Sequence, residues 1–311
     1  MHRHFTLFLA VLGTPLLSAA SPLMETWESG YSGNDATGPH VIGYWKFDGN
    51  SPQDALRDLS GKGHELTLEG GGLLNPKGKS GGAFESFPGF PVQDTRHAVV
   101  TPHRPDLSPA GAFTLEMWIA PKAEFADNLR CFLLDKKYVD HTDYQWQIGE
   151  ADKGGRRRMW VTLGFGSESR VFYAEAARFE TGVWHHLAFT YDGAGEGRFF
   201  IDGQTSGSQH HEGVSTPVPG TKSLSIGDRL GSNYGGFPGL IDEVRLCKGV
   251  LAFEPVALTI NSPRRVWERM ETAKAIVVNC TNLRKTPLVN ASLRLSLSDG
   301  GDTVTVALPS L

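Results

Sequence analysis

Two stretches of this sequence set aromatic rings beside amide, carboxylate and cationic groups. The first runs Lys136-Lys137-Tyr138-Val139-Asp140-His141-Thr142-Asp143-Tyr144-Gln145-Trp146, the second Asp228-Arg229-Leu230-Gly231-Ser232-Asn233-Tyr234. A sugar presents C–H faces and hydroxyls together, so recognising one takes aromatic surface next to hydrogen-bonding side chains. Tyr138, Asp140, Asp143, Tyr144, Trp146, Asn233 and Tyr234 are therefore the candidate ligand-binding residues. Other groupings promise less chemistry. His185-His186 falls in a strand, where adjacent side chains face opposite ways, and His210-His211 reads as a solvated loop, so zinc is not indicated. By the same alternation Asp242-Glu243 resolves into one inward aspartate and one surface glutamate. Arg156-Arg157-Arg158 beside Lys153 reads as a solvated hairpin, with an anionic glycan as the alternative use. Cys131, Cys247 and Cys280 form no C-x-x-C pair, which argues against a disulfide framework or a cysteine zinc site. No Gly-x-Ser-x-Gly elbow, phosphate loop or dinucleotide fingerprint stands in a strand–helix setting, and no catalytic residue is assigned.

The elements that must position these groups are β-strands. Glycine (37) and proline (18) make up about 18% of the 311 residues, against a usual figure of about 12%, an excess that favours turns over long helices. Phe113, Leu115, Met117 and Ile119 alternate with Thr114, Glu116 and Trp118, and Tyr144, Trp146 and Ile148 alternate with Gln145 and Gln147. Residues 159–165 and 184–191 supply two more aromatic-bearing strands, and Asp202-Gly203 marks a hairpin because both residues tolerate positive φ. Many short strands over residues 41–254 require two stacked sheets or a closed barrel, since one open sheet would leave an apolar face wet. The jelly-roll sandwich is the economical solution. Residues 255–311 hold four further alternating runs, too few for a complete immunoglobulin-like sandwich, and read as a small or truncated domain of that kind.

The N-terminus carries Arg3, an apolar run from Phe5 to Leu17 and then Ser18-Ala19-Ala20, the order of a secretory signal spanning residues 1–20. A run of thirteen residues makes a helix of about 20 Å, short of the roughly 30 Å hydrocarbon core, so a membrane span is not expected in the mature chain. Residues 21–40 read as a linker. Thirty basic and thirty-four acidic residues give a net charge of −4, which makes nucleic acid a poor partner.

Ordered words along residues 41–254 carry a wider likeness. They are Tyr44-Trp45-Lys46-Phe47-Asp48, Asp58-Leu59-Ser60-Gly61-Lys62-Gly63-His64, Gly81-Gly82-Ala83-Phe84, the strand from Phe113 to Ile119, and the run from Gly182 to Gly193. Phe200-Ile201-Asp202-Gly203, Leu224-Ser225-Ile226-Gly227 and the run from Phe237 to Arg245 complete the series. In this order they resemble the laminin-G-like jelly-roll modules of the concanavalin A-like lectin and glucanase superfamily. Gly49 and Glu85-Ser86-Phe87-Pro88-Gly89 depart from the usual pattern. The resemblance implies an all-β concanavalin A-like fold and, where first and last strands meet, a structural calcium ion held by Asp48, Asp58 and Asp242 with carbonyls of the turn ending at His64. The alternative is that these aspartates bond backbone amides in turns. It also implies where a glucanase would carry its Glu-x-Asp-x-x-Glu strand motif. The nearest match is Glu150-Ala151-Asp152, with Gly155 where the third carboxylate is needed.

Three functions follow. The first is an exported, non-catalytic recognition or adhesion module that binds a glycan or cell-surface polymer, accessory to a larger surface protein or hydrolase with further domains downstream. The others are a structural spacer and a divergent glycoside hydrolase. Export is checked directly: N-terminal sequencing of the secreted chain is expected to begin at Ser21, and a mature chain retaining Met1 contradicts it.

Overall fold

The structure, a computed structural model, describes residues 38–86, 96–127, 130–231, 235–251, 253, 256–261, 277–282, 292–295 and 304–308. The chain divides into two compact units, one reaching to Phe253 and one holding the residues from Glu254 onward. In the first, two antiparallel sheets face each other. One is ordered β13 (Gln204–His210), β12 (Glu196–Ile201), β11 (His185–Tyr191), β6 (Phe113–Pro121), β15 (Gly239–Lys248), β4 (Ala83–Glu85) and β3 (Leu73–Asn75), with β1 (Val41–Trp45) also paired to β15. The other is ordered β10 (Ser169–Tyr173), β9 (Arg157–Gly164), β8 (Tyr144–Ala151), β7 (Cys131–Asp135), β14 (Leu224–Ile226), β5 (His97–Thr101) and β2 (Thr67–Gly70). The jelly-roll sandwich expected from the alternating strands is the fold.

Strand periodicity explains which side chains meet between the sheets. Phe113, Leu115, Met117 and Ile119 of β6 enter the core with Leu187, Phe189 and Tyr191 of β11. From the facing sheet come Tyr144, Trp146 and Ile148 of β8, Met159, Val161 and Leu163 of β9, and Phe172 of β10. Aromatic pairs knit the layers: Phe172 lies 5.8 Å from both Phe189 and Tyr191, and Phe113 lies 6.0 Å from Tyr144. The Asp202-Gly203 hairpin forms as its residues dictate, with φ of 50° and 74° joining β12 to β13.

The opposite face of the first sheet is also buried, and it is charged. Glu116 accepts a hydrogen bond from Arg245 Nε at 2.8 Å and faces His186 Nε2 at 3.1 Å. The expected surface glutamate of Asp242-Glu243 is instead buried. A bulge between Asp242 and Arg245, with Glu243 at φ 51°, breaks the strict alternation on which that expectation rested. In the second unit the strands form two antiparallel pairs, β16 (Val256–Asn261) with β17 (Val277–Asn282) and β18 (Ser292–Leu295) with β19 (Val304–Ala307). The signal segment and most of the linker lie outside the described residues, and among the described residues no helix is long and apolar enough to cross a membrane.

Trp146 is fully buried between the sheets, so Trp146→Ala is expected to lower the unfolding free energy by about 3–5 kcal/mol in urea denaturation. The exposed Arg158→Ala should shift it by no more than about 0.5 kcal/mol.

Candidate functional site

The first aromatic-rich stretch folds into a loop that satisfies itself. The Lys136 ammonium is buried against Asp143 Oδ2 at 2.8 Å and His103 Nδ1 at 3.2 Å, and burial holds its pKa below the usual lysine range. Asp143 Oδ2 also accepts from the Gly220 amide at 3.0 Å, so this carboxylate is committed to holding the loop. Tyr138 adopts φ 55°, its amide donates to Asp135 Oδ1 at 2.8 Å, and the Arg229 guanidinium stands 4.8 Å from its ring centre. Asp140 is half-exposed and pairs with Lys222 at 3.6 Å. Tyr144 and Trp146 require a correction: both are core residues, because the phase of β8 that sends Ile148 inward sends them inward too. They offer no face to a sugar. Asn233 and Tyr234 lie outside the described residues. Of the candidate binding residues, the structure brings Tyr138, Asp140 and Asp143 together and separates Tyr144 and Trp146 from them.

The four residues proposed for calcium fall into two groups. Asp58 accepts from the amides of Tyr44 (3.1 Å), Ser60 (2.9 Å) and His64 (3.0 Å) and from Ser60 Oγ (2.7 Å), which fills the roughly four acceptor sites of a carboxylate. His64 turns its ring toward Asp106 at 3.1 Å, and its carbonyl accepts from Trp45 Nε1 at 2.8 Å. Asp48 and Asp242 clasp a glycine-rich turn instead: Gly82 N donates to Asp48 Oδ1 at 2.7 Å and Ser80 N to Asp242 Oδ2 at 3.0 Å. Lys46 places a positive charge between Asp48 and Glu243, its Nζ lying 3.3 Å from both Asp48 Oδ2 and Glu243 Oε1. Tyr44 OH donates to the other Glu243 oxygen at 2.5 Å. Calcium requires six to eight oxygen ligands, whereas these carboxylates already accept amide protons and an ammonium. The residues present do not fit the ion. Among the described residues no group of three histidine, cysteine or acidic side chains is arranged to hold a metal. Burial raises Asp242 to about 8 and Glu243 to about 7. Burial opposes the charged form of Lys46, but Glu243 and Asp48 outweigh it and raise its pKa.

The accessible chemistry lies on the outer face of the second sheet. Because Met159, Val161 and Leu163 point inward, Arg158, Trp160 and Thr162 point out. Phe172 fixes β10 in the same way and turns out Tyr173, the one aromatic side chain among the described residues that counts as exposed, at 42%. Trp160 stands directly across from Tyr173 on β10 and from Gln147 on β8. The ring centres of the two aromatics are 6.3 Å apart and their planes are inclined by 49°. Gly149 leaves room for the indole, since a Cβ there would meet Trp160 Cζ3 at 2.8 Å. Beyond Tyr173, where β10 meets β13, a cleft of about 620 Å³ is lined by Arg158, Tyr173, Glu175, Thr205, Ser208 and Gln209. The seam is held by hydrogen bonds from Tyr173 N to Gln209 Oε1 (2.5 Å) and from Glu175 N to Ser206 O (2.7 Å). Aromatic faces beside guanidinium, carboxylate, amide and hydroxyl groups suit a polyhydroxylated ligand.

The arginine triplet divides by strand phase. Arg156 bonds Asp152 at the hairpin tip, Arg157 is buried and donates to the Gly149, Phe125 and Ala126 carbonyls, and Arg158 reaches the cleft. Asp152 accepts from the amides of Gly154 (2.8 Å) and Arg156 (2.9 Å), so it shapes the turn. Sequence inspection passed over Trp160 and Tyr173. The signal that finds them is their position out of phase with Met159, Val161 and Phe172.

A family model for the laminin-G type 3 group of the concanavalin A-like lectin/glucanases superfamily matches residues 93–257. No curated protein matches the chain. Among solved structures the chain is similar to the binding domain of Paraclostridial Mosquitocidal Protein 1, at 13% identity over 69% of this chain and 50% of that one, with a TM-score of 0.51. It is similar to the binding domain of botulinum neurotoxin DC solved in complex with rat synaptotagmin II, at 15% identity over 69% and 49%, with a TM-score of 0.52. The same neurotoxin domain solved with SialylT matches at 15% identity over 69% and 49%, with a TM-score of 0.51. The chain spans about half the length of these toxin chains, and at such identities the likeness shows the fold.

The acid clasp makes a prediction about pH. Carboxyl groups whose pKa is raised on folding hold protons that the unfolded chain has released, so their stabilisation is complete below about pH 4 and is lost as pH rises through about 7 and 8. The urea midpoint should therefore be higher at about pH 5 than at about pH 9, and Asp242→Asn should flatten that slope. In the same assay a calcium chelator is expected to leave the wild-type midpoint unchanged; a fall on chelation would restore calcium to the clasp.

Proposed function

That the chain belongs to the concanavalin A-like lectin/glucanase superfamily is the premise from which we propose that it is an exported, non-catalytic carbohydrate-binding module. The observation that carries this reading is the Trp160–Tyr173 pair. An exposed tyrosine and a partly exposed tryptophan sit side by side on a rigid sheet, at the mouth of a polar cleft. Such a ledge can stack the C–H face of a sugar while the cleft bonds its hydroxyls. The complexes of the neurotoxin domain, one with rat synaptotagmin II and one with SialylT, support a binding role for this fold.

The carboxylates favour binding over hydrolysis. Glu116, Asp242 and Glu243 are buried beyond the reach of a substrate, and Asp152 is engaged in its own turn. Two acids flanking an accessible glycosidic bond, as hydrolysis requires, are not found among the described residues on the ledge. The signal-like N-terminus supports export, and an accessory role within a larger surface protein or hydrolase accords with a binding module that has no chemistry of its own.

Retention of the full chain on a panel of immobilised polysaccharides tests the reading. At least one glycan is expected to retain the wild type, with Trp160→Ala and Tyr173→Ala each weakening binding about tenfold or more, the effect of removing one aromatic anchor. Failure to bind any member, or binding indifferent to both substitutions, overturns it.

A further inference from the structure

The geometry of the ledge and the charges of the cleft specify the kind of glycan, an inference that rests on the carbohydrate-binding reading above. Two aromatic rings can lie together against a flat crystalline polysaccharide surface only when their planes coincide. Trp160 and Tyr173 are inclined by 49°. The indole rests over Gly149, where even a Cβ would collide with it, so the sheet sets its plane. Tyr173 meets that indole from the neighbouring strand and has the Arg158 guanidinium 6.0 Å from its ring centre. A planar surface would therefore meet one ring and leave the other unused. A single chain whose successive residues rotate about their linkages can meet both.

The cleft that continues from Tyr173 supplies the second criterion. Arg158 and Glu175 both line it, and the Arg158 guanidinium stands 6.0 Å from the Tyr173 ring centre. Thr205, Ser208 and Gln209 complete it with neutral donors and acceptors. An anionic sugar would gain the guanidinium but oppose the Glu175 carboxylate. A neutral sugar uses both, because its hydroxyls can accept from Arg158 and donate to Glu175. We infer that the ligand is a single, soluble, neutral polysaccharide chain that crosses β9 and β10 from Trp160 over Tyr173 and enters the cleft between Arg158 and Glu175.

The test uses the full-length wild type in calorimetric titrations with soluble fragments of neutral polysaccharides (xylan, arabinan, mannan, mixed-linkage glucan) and of anionic ones (polygalacturonate, alginate), alongside pull-downs on crystalline cellulose and chitin. Saturable binding to a neutral soluble chain, at least tenfold tighter than to either anionic polymer and without retention on the crystalline solids, is the expected result. Tyr173→Ala, an exposed position, should weaken that binding about tenfold, and Glu175→Gln should weaken it without creating retention on the solids. Retention on a crystalline solid equal to binding in solution overturns the inference and leaves the carbohydrate-binding reading standing. So does tighter binding of an anionic polymer that Glu175→Gln strengthens further. Absence of binding in every arm overturns both.

Discussion

The alternation of β8, β9 and β10 constrains both what is buried and what is presented. Tyr144, Trp146 and Ile148, then Met159, Val161 and Leu163, then Phe172, fill one side of the sheet and pack against Phe113, Phe189 and Tyr191 of the other. A slip of one residue would carry Trp160 and Tyr173 into the core and expel Met159 and Phe172, at a cost of several buried side chains at roughly 1.5–3 kcal/mol each. The outward aromatic pair is thus held by the core behind it. Rigidity matters for weak ligands, because a preformed face spends little of the interaction on ordering itself.

A different economy governs the opposite sheet, where His186, Glu116 and Arg245 share one buried set of contacts and Tyr44, Glu243, Lys46 and Asp48 share another. Buried charges cost desolvation, and removing one partner leaves the other exposed to that cost in full. Their placement here joins β1, β6, β11 and β15, so first and last strands of the sandwich are fastened by side chains of the chain itself. Lys46 supplies the positive charge that a bound cation would otherwise supply, and the glycine turn bonded to Asp48 and Asp242 closes the clasp.

Much of this was legible in the sequence. The inward phases of β6 and β11 and the Asp202-Gly203 turn follow from local pattern alone, and the ordered motif series located the sandwich. Three features were not. The aromatic richness of the 136–146 stretch drew attention to Tyr144 and Trp146, but composition cannot distinguish a ligand face from a core face; the phase relative to Ile148 does. The burial of Glu243 depends on a bulge, an extra residue that breaks the period on which the expectation relied. The cleft between β10 and β13 arises where the edges of two different sheets meet, and no local window of sequence contains it.

The claim that binding occurs at the Trp160–Tyr173 ledge is tested most directly by amide and indole chemical shifts of the full chain during titration with a glycan it retains. The account predicts that shifts concentrate at the Trp160 indole N–H, Thr162, Tyr173, Ser208 and Gln209, with the loop at Tyr138 and Asp140 unmoved. Shifts confined to that loop and Arg229, with the Trp160 indole unchanged, would contradict it.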